Sequence, residues 1–197
     1  MSTESNERRR GDNLEQAIFQ NTLKVLNTEG YSAISFARIA RESNTSRSVL
    51  YHHWDSPFDL TLAAVHNQNQ QPAASQTMVY YDTGQLRSDL LFIGQHFILE
   101  LNKIPENFRG ALLVEMSQSP RQVQKILTEA DALTTKVLHQ ALQQAITRQE
   151  LVDLPNQTSQ NALLKLIRYS FIIENHPVTQ SELEDMIDAV VLPAITH

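Results

Sequence analysis

Apolar residues recur along this chain every three to four positions, and no stretch of useful length alternates strand-like. Leu14, Ala17, Ile18, Val25 and Leu26 mark a first helix over residues 13–29, stopped by Gly30. Ser35 caps a second, with Phe36, Ile39 and Ala40 inward and Arg38, Arg41 and Glu42 opposite. Ser43-Asn44-Thr45-Ser46 interrupts, since such residues bond their own backbone and Asn tolerates a left-handed turn. A third helix spans 47–53, with Leu50 and Trp54 inward. Ser56-Pro57-Phe58-Asp59 opens a fourth, which fades between Asn67 and Gln71.

Residues 72–84 are small and polar and mark a boundary or loop, between a domain over 1–66 and another over 67–197. A helix of about 17 residues follows, with Leu86, Leu90, Ile93, Phe97, Ile98 and Leu101 inward. Phe108, Ala111, Leu112 and Met116 suggest a shorter one after Pro105. Ser119-Pro120-Arg121-Gln122 reads as a capping box before a long helix, and Thr179-Gln180-Ser181-Glu182 as another before the last. Between them, residues 158–174 are apolar nearly all round, so that helix is buried on more than one side. The fold class is all-α.

Residues 35–54 carry the candidate chemistry. A short helix, a turn and a second short helix make the helix-turn-helix plan. With Leu50 and Trp54 inward, Arg47, Ser48, Val49, Tyr51 and His52 face outward. They offer a forked donor, hydroxyls, an imidazole and a small apolar group, the composition of a major-groove reader.

The same stretch resembles the DNA-binding segment of tetracycline-repressor-type (TetR) regulators. Gly30-Tyr31, Ser35, Ile39-Ala40, Ser46, Leu50-Tyr51, His53, Trp54, Ser56 and Leu60 fall into that pattern's register. Three positions depart from it. Asn44 replaces the turn Gly, Ser48 replaces a Gly of the recognition helix, and Pro57 stands where the family has a Lys, removing a usual phosphate contact. Asp82-Thr83-Gly84-Gln85-Leu86-Arg87-Ser88-Asp89-Leu90 is similar to the opening of the second domain in one branch of the family. The resemblance implies an N-terminal three-helix reader followed by a helical domain that binds ligand and dimerises. It also implies that Tyr51 and His53 approach phosphates. The DNA-binding set is then Ser35, Arg38, Thr45, Ser46, Arg47, Ser48, Val49, Tyr51, His52 and His53.

Composition and charge narrow this further. The 197 residues can bury a sizeable core, and 41% are hydrophobic. There is no Cys, which excludes structural disulfides, thiolate metal sites and cysteine nucleophiles. No apolar run is long enough to span a membrane, and the N-terminus lacks a signal peptide's apolar core. A soluble intracellular protein is expected, and the resemblance implies a bacterial cytoplasm. Net charge is −6, but residues 1–60 hold seven Lys/Arg against eight Asp/Glu, so most of the acid lies outside the reader. This implies fewer phosphate contacts than in a strongly basic binder. Arg8, Arg9 and Arg10 sit on what reads as a polar arm, able to follow phosphates or enter a minor groove.

No nucleophile elbow, phosphate-binding glycine loop or catalytic carboxylate motif is present, so no enzyme, cofactor or catalytic residue is expected. His96 and Glu100 stand one helical turn apart, a pair too small to argue a metal site. His52 and His53 are expected on different sides of their helix.

The function expected is a ligand-responsive DNA-binding transcriptional regulator, a repressor. A small apolar effector would release it from a two-fold double-stranded DNA operator by changing the spacing of the recognition helices. The effector is expected among His96, Phe97, Met116, Val137 and Tyr169. The homodimer is expected through the last two helices, residues 158–192, with Ile167 and Val190 at the interface. The alternative is an all-helical protein–protein interaction module without specific DNA binding.

Overall fold

A computed structural model describes residues 3–69 and 82–196, with side chains from residue 13 and without those of 69, 122, 125 and 130. Among the described residues every regular element is helical. The expected boundary over 72–84 falls mostly outside them. By its contacts the chain forms two compact units, residues 1–75 with 104–111, and residues 76–103 with 112–197.

The first unit holds α1 (Thr3–Glu29), a 3-10 turn (Tyr31–Ala33), α2 (Phe36–Glu42), α3 (Arg47–His53) and α4 (Pro57–Asn69). α1 starts at Thr3, so its backbone includes the residues that read as an arm; the side chains of Arg8, Arg9 and Arg10 lie outside the described residues. Ile18 and Leu26 of α1, Ile39 of α2, Leu50 of α3 and Leu60 of α4 are fully buried. Apolar periodicity does not say which neighbour a helix chooses, and here it concealed a return of the chain. The start of α6 (Glu106–Gln118) belongs to the first unit. Phe108 stacks on Phe58 at 5.4 Å and tilts against Tyr31 at 5.8 Å. Asn107 donates to the carbonyl of Leu26.

The second unit contains α5 (Leu86–Asn102), the rest of α6, α7 (Pro120–Thr147), α8 (Gln157–Gln160), α9 (Ala162–Arg168), α10 (Gln180–Asp185) and α11 (Leu192–Thr196). α9 runs on into a π-helical turn, Tyr169–Ile173, and α10 into another, Met186–Val191. The wider spacing is direct in the bond from Glu174 N to Tyr169 O, five residues back, at 3.2 Å. Gly94 lets α5 approach α10: a Cβ there would lie 2.6 Å from Leu183 Cδ1.

The capping boxes read at Thr179 and at Ser119 turn out differently. Thr179 Oγ1 accepts from Glu182 N at 3.3 Å while Glu182 Oε2 accepts from Thr179 N at 2.8 Å, a closed capping box. Ser119 makes no such bond. Its ψ is 58°, against roughly 150–165° at the caps formed by Ser35, Ser46 and Thr179, so its hydroxyl is swung away from the helix start.

The penultimate helix resolves its apolar surface by facing two ways. Leu163, Leu164, Ile167, Phe171 and Ile172 are buried within the subunit, while Tyr169 and Ile173 point out. Ile167 is fully buried in its own unit, so it does not stand on a surface where a partner would sit; Val190, 47% exposed, does.

One cluster explains the Asp82–Leu90 motif. Asp89, fully buried, accepts Thr83 N at 2.9 Å and Thr83 Oγ1 at 2.6 Å on one oxygen, and Arg148 Nη2 at 2.9 Å on the other. Arg148 also reaches Asp82 Oδ1 at 2.5 Å and Glu150 Oε1 at 2.6 Å. Glu150 Oε2 accepts Leu86 N at 2.7 Å and so caps α5. Gln149, at φ 63°, ends α7 in a left-handed turn between Arg148 and Glu150. The motif therefore fastens the start of α5 to the end of α7.

Candidate nucleic-acid interface

α2, its turn and α3 form where the pattern put them. Ser35 Oγ accepts Arg38 N at 3.3 Å and Ser46 Oγ accepts Val49 N at 3.4 Å, so each short helix has its own cap. Both hydroxyls keep a proton to donate. Asn44 takes φ 51°, the left-handed position the family gives to Gly. Thr45 N then bonds Ala40 O at 2.9 Å and Asn44 N bonds Arg41 O at 3.3 Å, the double closure of a Schellman turn.

α3 shows two unlike faces. Leu50 is fully buried. Arg47, Ser48, Tyr51, His52 and His53 are exposed, with Val49 and Thr45 half-buried at the edge. Tyr51 is 65% exposed although its ring meets Phe36 edge-on at 4.7 Å. That contact steadies the ring and leaves its hydroxyl to the outside. Trp54 packs edge-on to Phe19 at 5.7 Å. The two histidines were expected apart, yet their rings are 5.3 Å apart and His53 also leans on Trp54 at 5.4 Å. Neighbours on a helix differ by about 100°, and rings are long enough to close that gap.

Arg38 has an unforeseen setting. Its Nη1 and Nη2 donate to Glu29 at 2.8 and 2.5 Å, and its Nε donates to Glu42 Oε1 at 2.8 Å. These bonds hold the Glu29 carboxyl below the usual carboxylate range and push the guanidinium further above its own. Asn21 acts at the other end of α2, donating to Glu42 O at 3.0 Å and Ser43 Oγ at 3.1 Å. Asn21 and Glu29 thus clip α1 to both ends of α2. Sequence reasoning missed both, and the one available signal was a polar Asn among the apolar positions of α1. Arg41 and Arg47 are exposed and make no ion pair among the described residues.

The five effector candidates do not share one environment. Phe97 and Val137 are buried, His96 and Met116 half-buried, and Tyr169 is 54% exposed. Tyr169 sits two residues off the Leu163, Ile167, Phe171 stripe, which turns it outward. Arg168, paired with Asp131, lies over the Phe97 ring at 5.4 Å. An open hollow in the first unit is lined by Asn27, Pro105, Glu106 and Asn107 and includes none of the five. Among the described residues no three His, Asp or Glu side chains converge as a metal site would, and no helix is long and apolar enough to cross a membrane.

Comparison with known proteins agrees with this geometry. The family model described as bacterial regulatory proteins, tetR family, matches residues 18–64, from α1 into α4. An uncharacterised HTH-type transcriptional regulator of Mycobacterium bovis is 31% identical over 178 residues, covering 89% of this chain and 85% of the relative. Two from strains of Mycobacterium tuberculosis match to the same extent.

Proposed function

Because the chain belongs to the tetR family of bacterial regulatory proteins and is a DNA-binding transcriptional regulator, we propose that it is a homodimeric repressor released from its operator by a small molecule. The observation that carries the DNA side is the division of α3, with Leu50 fully buried and Arg47, Ser48, Tyr51 and His52 facing out. Under this reading Arg47 reaches base edges or phosphate, Tyr51 and His53 approach phosphates, and the hydroxyls of Ser35, Thr45 and Ser46 donate to the backbone. Ser48 and Val49 meet the groove where a side chain replaces the family's Gly. The exposed Tyr169, Ile173 and Val190 favour a dimer through the last two helices. A two-fold dimer presents two α3 helices to two half-sites.

The effector reading rests on the second unit. Phe97 and Val137 are buried apolar groups, and His96 on α5 and Met116 on α6 are half-buried, a mixture suited to a small apolar ligand. The ligand acts only if it binds the DNA-competent and released states with different affinity. The protein performs no reaction, needs no cofactor and works in the bacterial cytoplasm. Selection of binding sequences from a random duplex pool tests the DNA side: recovery of a two-fold symmetric site is expected, and an unenriched pool overturns it. A compound screen by thermal shift, followed by release from that site, tests the effector side. Compounds that stabilise the protein without releasing it would refute the coupling.

A further inference from the structure

We infer that Glu29 and Glu42 determine how much of the reader's positive charge reaches DNA, by holding the guanidinium of Arg38. The inference rests on DNA binding by α2 and α3. Arg38, Arg41 and Glu42 lie at i, i+3 and i+4 on one side of α2, with Arg41 and Glu42 exposed and Arg38 half-buried. In a helix-turn-helix this first helix crosses the phosphate backbone. A cation there would release counterions on binding, and Arg41 is placed to do so. Arg38, one turn earlier and half-buried, is occupied, with a two-bond fork on Glu29 and a third bond on Glu42. Two N–H groups remain, on a guanidinium whose charge two carboxylates already match.

The bonds also reach beyond one helix. Glu29 is the last residue of α1, so the contact that withdraws the cation also fixes α2 against α1. Position and charge are set together: the reader gains a rigid first helix and forgoes a phosphate contact. Contacts to phosphate strengthen binding to every sequence alike. Withholding one lowers binding to arbitrary sequence and to a specific site together, and reduces the salt-dependent share of both. Glu29 and Glu42 therefore set the reader's electrostatic share of the affinity without touching a base.

The test needs no operator. A fluorescent random-sequence 24-bp duplex is titrated with the full chain by anisotropy between 50 and 200 mM NaCl. Glu29→Gln/Glu42→Gln is expected to steepen the slope of log affinity against log salt by about 0.9 for each reader in the complex, some 3.5-fold over that range. Arg38→Ala should leave the wild-type slope unchanged. The triple variant should return to it, which separates release of Arg38 from loss of negative charge. Glu29→Gln alone, at an exposed helix end, keeps the test open should the double variant fold poorly. An Arg38→Ala slope shallower than wild type, a steepening that survives in the triple variant, or no steepening on freeing Arg38 would each overturn the inference. A wild type that binds no duplex at low salt would instead overturn the DNA-binding reading beneath it.

Discussion

Replacing Arg148 with Met should cost the second unit about 3–5 kcal/mol, because it leaves the Asp89 carboxylate buried without its cation. Asp89 has no exposed side-chain surface and Arg148 has 18%. The two bonds from Thr83 would survive, and they moderate the loss without supplying charge. Met keeps most of the arginine stem's apolar cover, so the change reports the pair more than the packing. For a chain of this size the loss corresponds to a midpoint lower by roughly 6–20 °C. Urea denaturation followed by helical circular dichroism reads it, at fixed protein concentration because association alters apparent stability. Trp54, the single tryptophan, reports the first unit separately by fluorescence. Asp89→Asn combined with Arg148→Met removes the stranded charge and should recover at least half of the loss. A single-variant cost below about 1 kcal/mol, or a double variant worse than Arg148→Met alone, would refute the reasoning.

Arg47→Ala should weaken operator binding by about 1–3 kcal/mol with the fold intact by circular dichroism, and unchanged affinity would remove Arg47 from the interface. Val190→Asp should yield folded monomers in sedimentation, whereas Ile167→Asp should unfold the second unit because that side chain is fully buried; monomers from Ile167→Asp with native helix content would contradict this. Glu182 is held at about 2 rather than 4.5, first by the backbone N–H of Thr179, then by the Thr179 hydroxyl and His176. Its folded value is depressed, so its stabilisation is complete above pH 4.5 and is lost as pH falls through about 2. Between those values the wild type should lose stability more steeply on acidification than Glu182→Gln, and parallel curves would count against it.

What was legible in the sequence was what neighbouring residues decide. The caps at Ser35 and Thr179, the turn at Asn44 and the burial of Leu50 each depend on a few consecutive positions, and all formed as the pattern implied. Ser119 is the local exception, where backbone geometry overrode a suitable residue. What stayed hidden was pairing across distance. Arg38 reads as a free cation until Glu29, nine residues earlier, takes it. Asp89 finds Arg148 fifty-nine residues away, and Phe108 joins the core of a unit whose other helices end by Asn69. Residue type shows that such groups need partners; only the fold says which.

The same distinction bears on how an acidic chain reads DNA. Counting Arg residues in α2 and α3 gives Arg38, Arg41 and Arg47, but the triad with Glu29 and Glu42 leaves Arg41 and Arg47 as the exposed cations of those two helices. With few cations each phosphate contact matters more, and binding to arbitrary sequence is correspondingly weak. Affinity must then come from contacts that differ between base pairs, and from presenting the reader twice. In the proposed dimer two readers double both terms on an operator whose half-sites are correctly spaced, while a random duplex engages the phosphate term alone. A low-charge reader therefore depends more heavily than a basic one on the spacing of its two recognition helices. That spacing is the quantity an effector changes under the proposed mechanism, so a small displacement suffices for release.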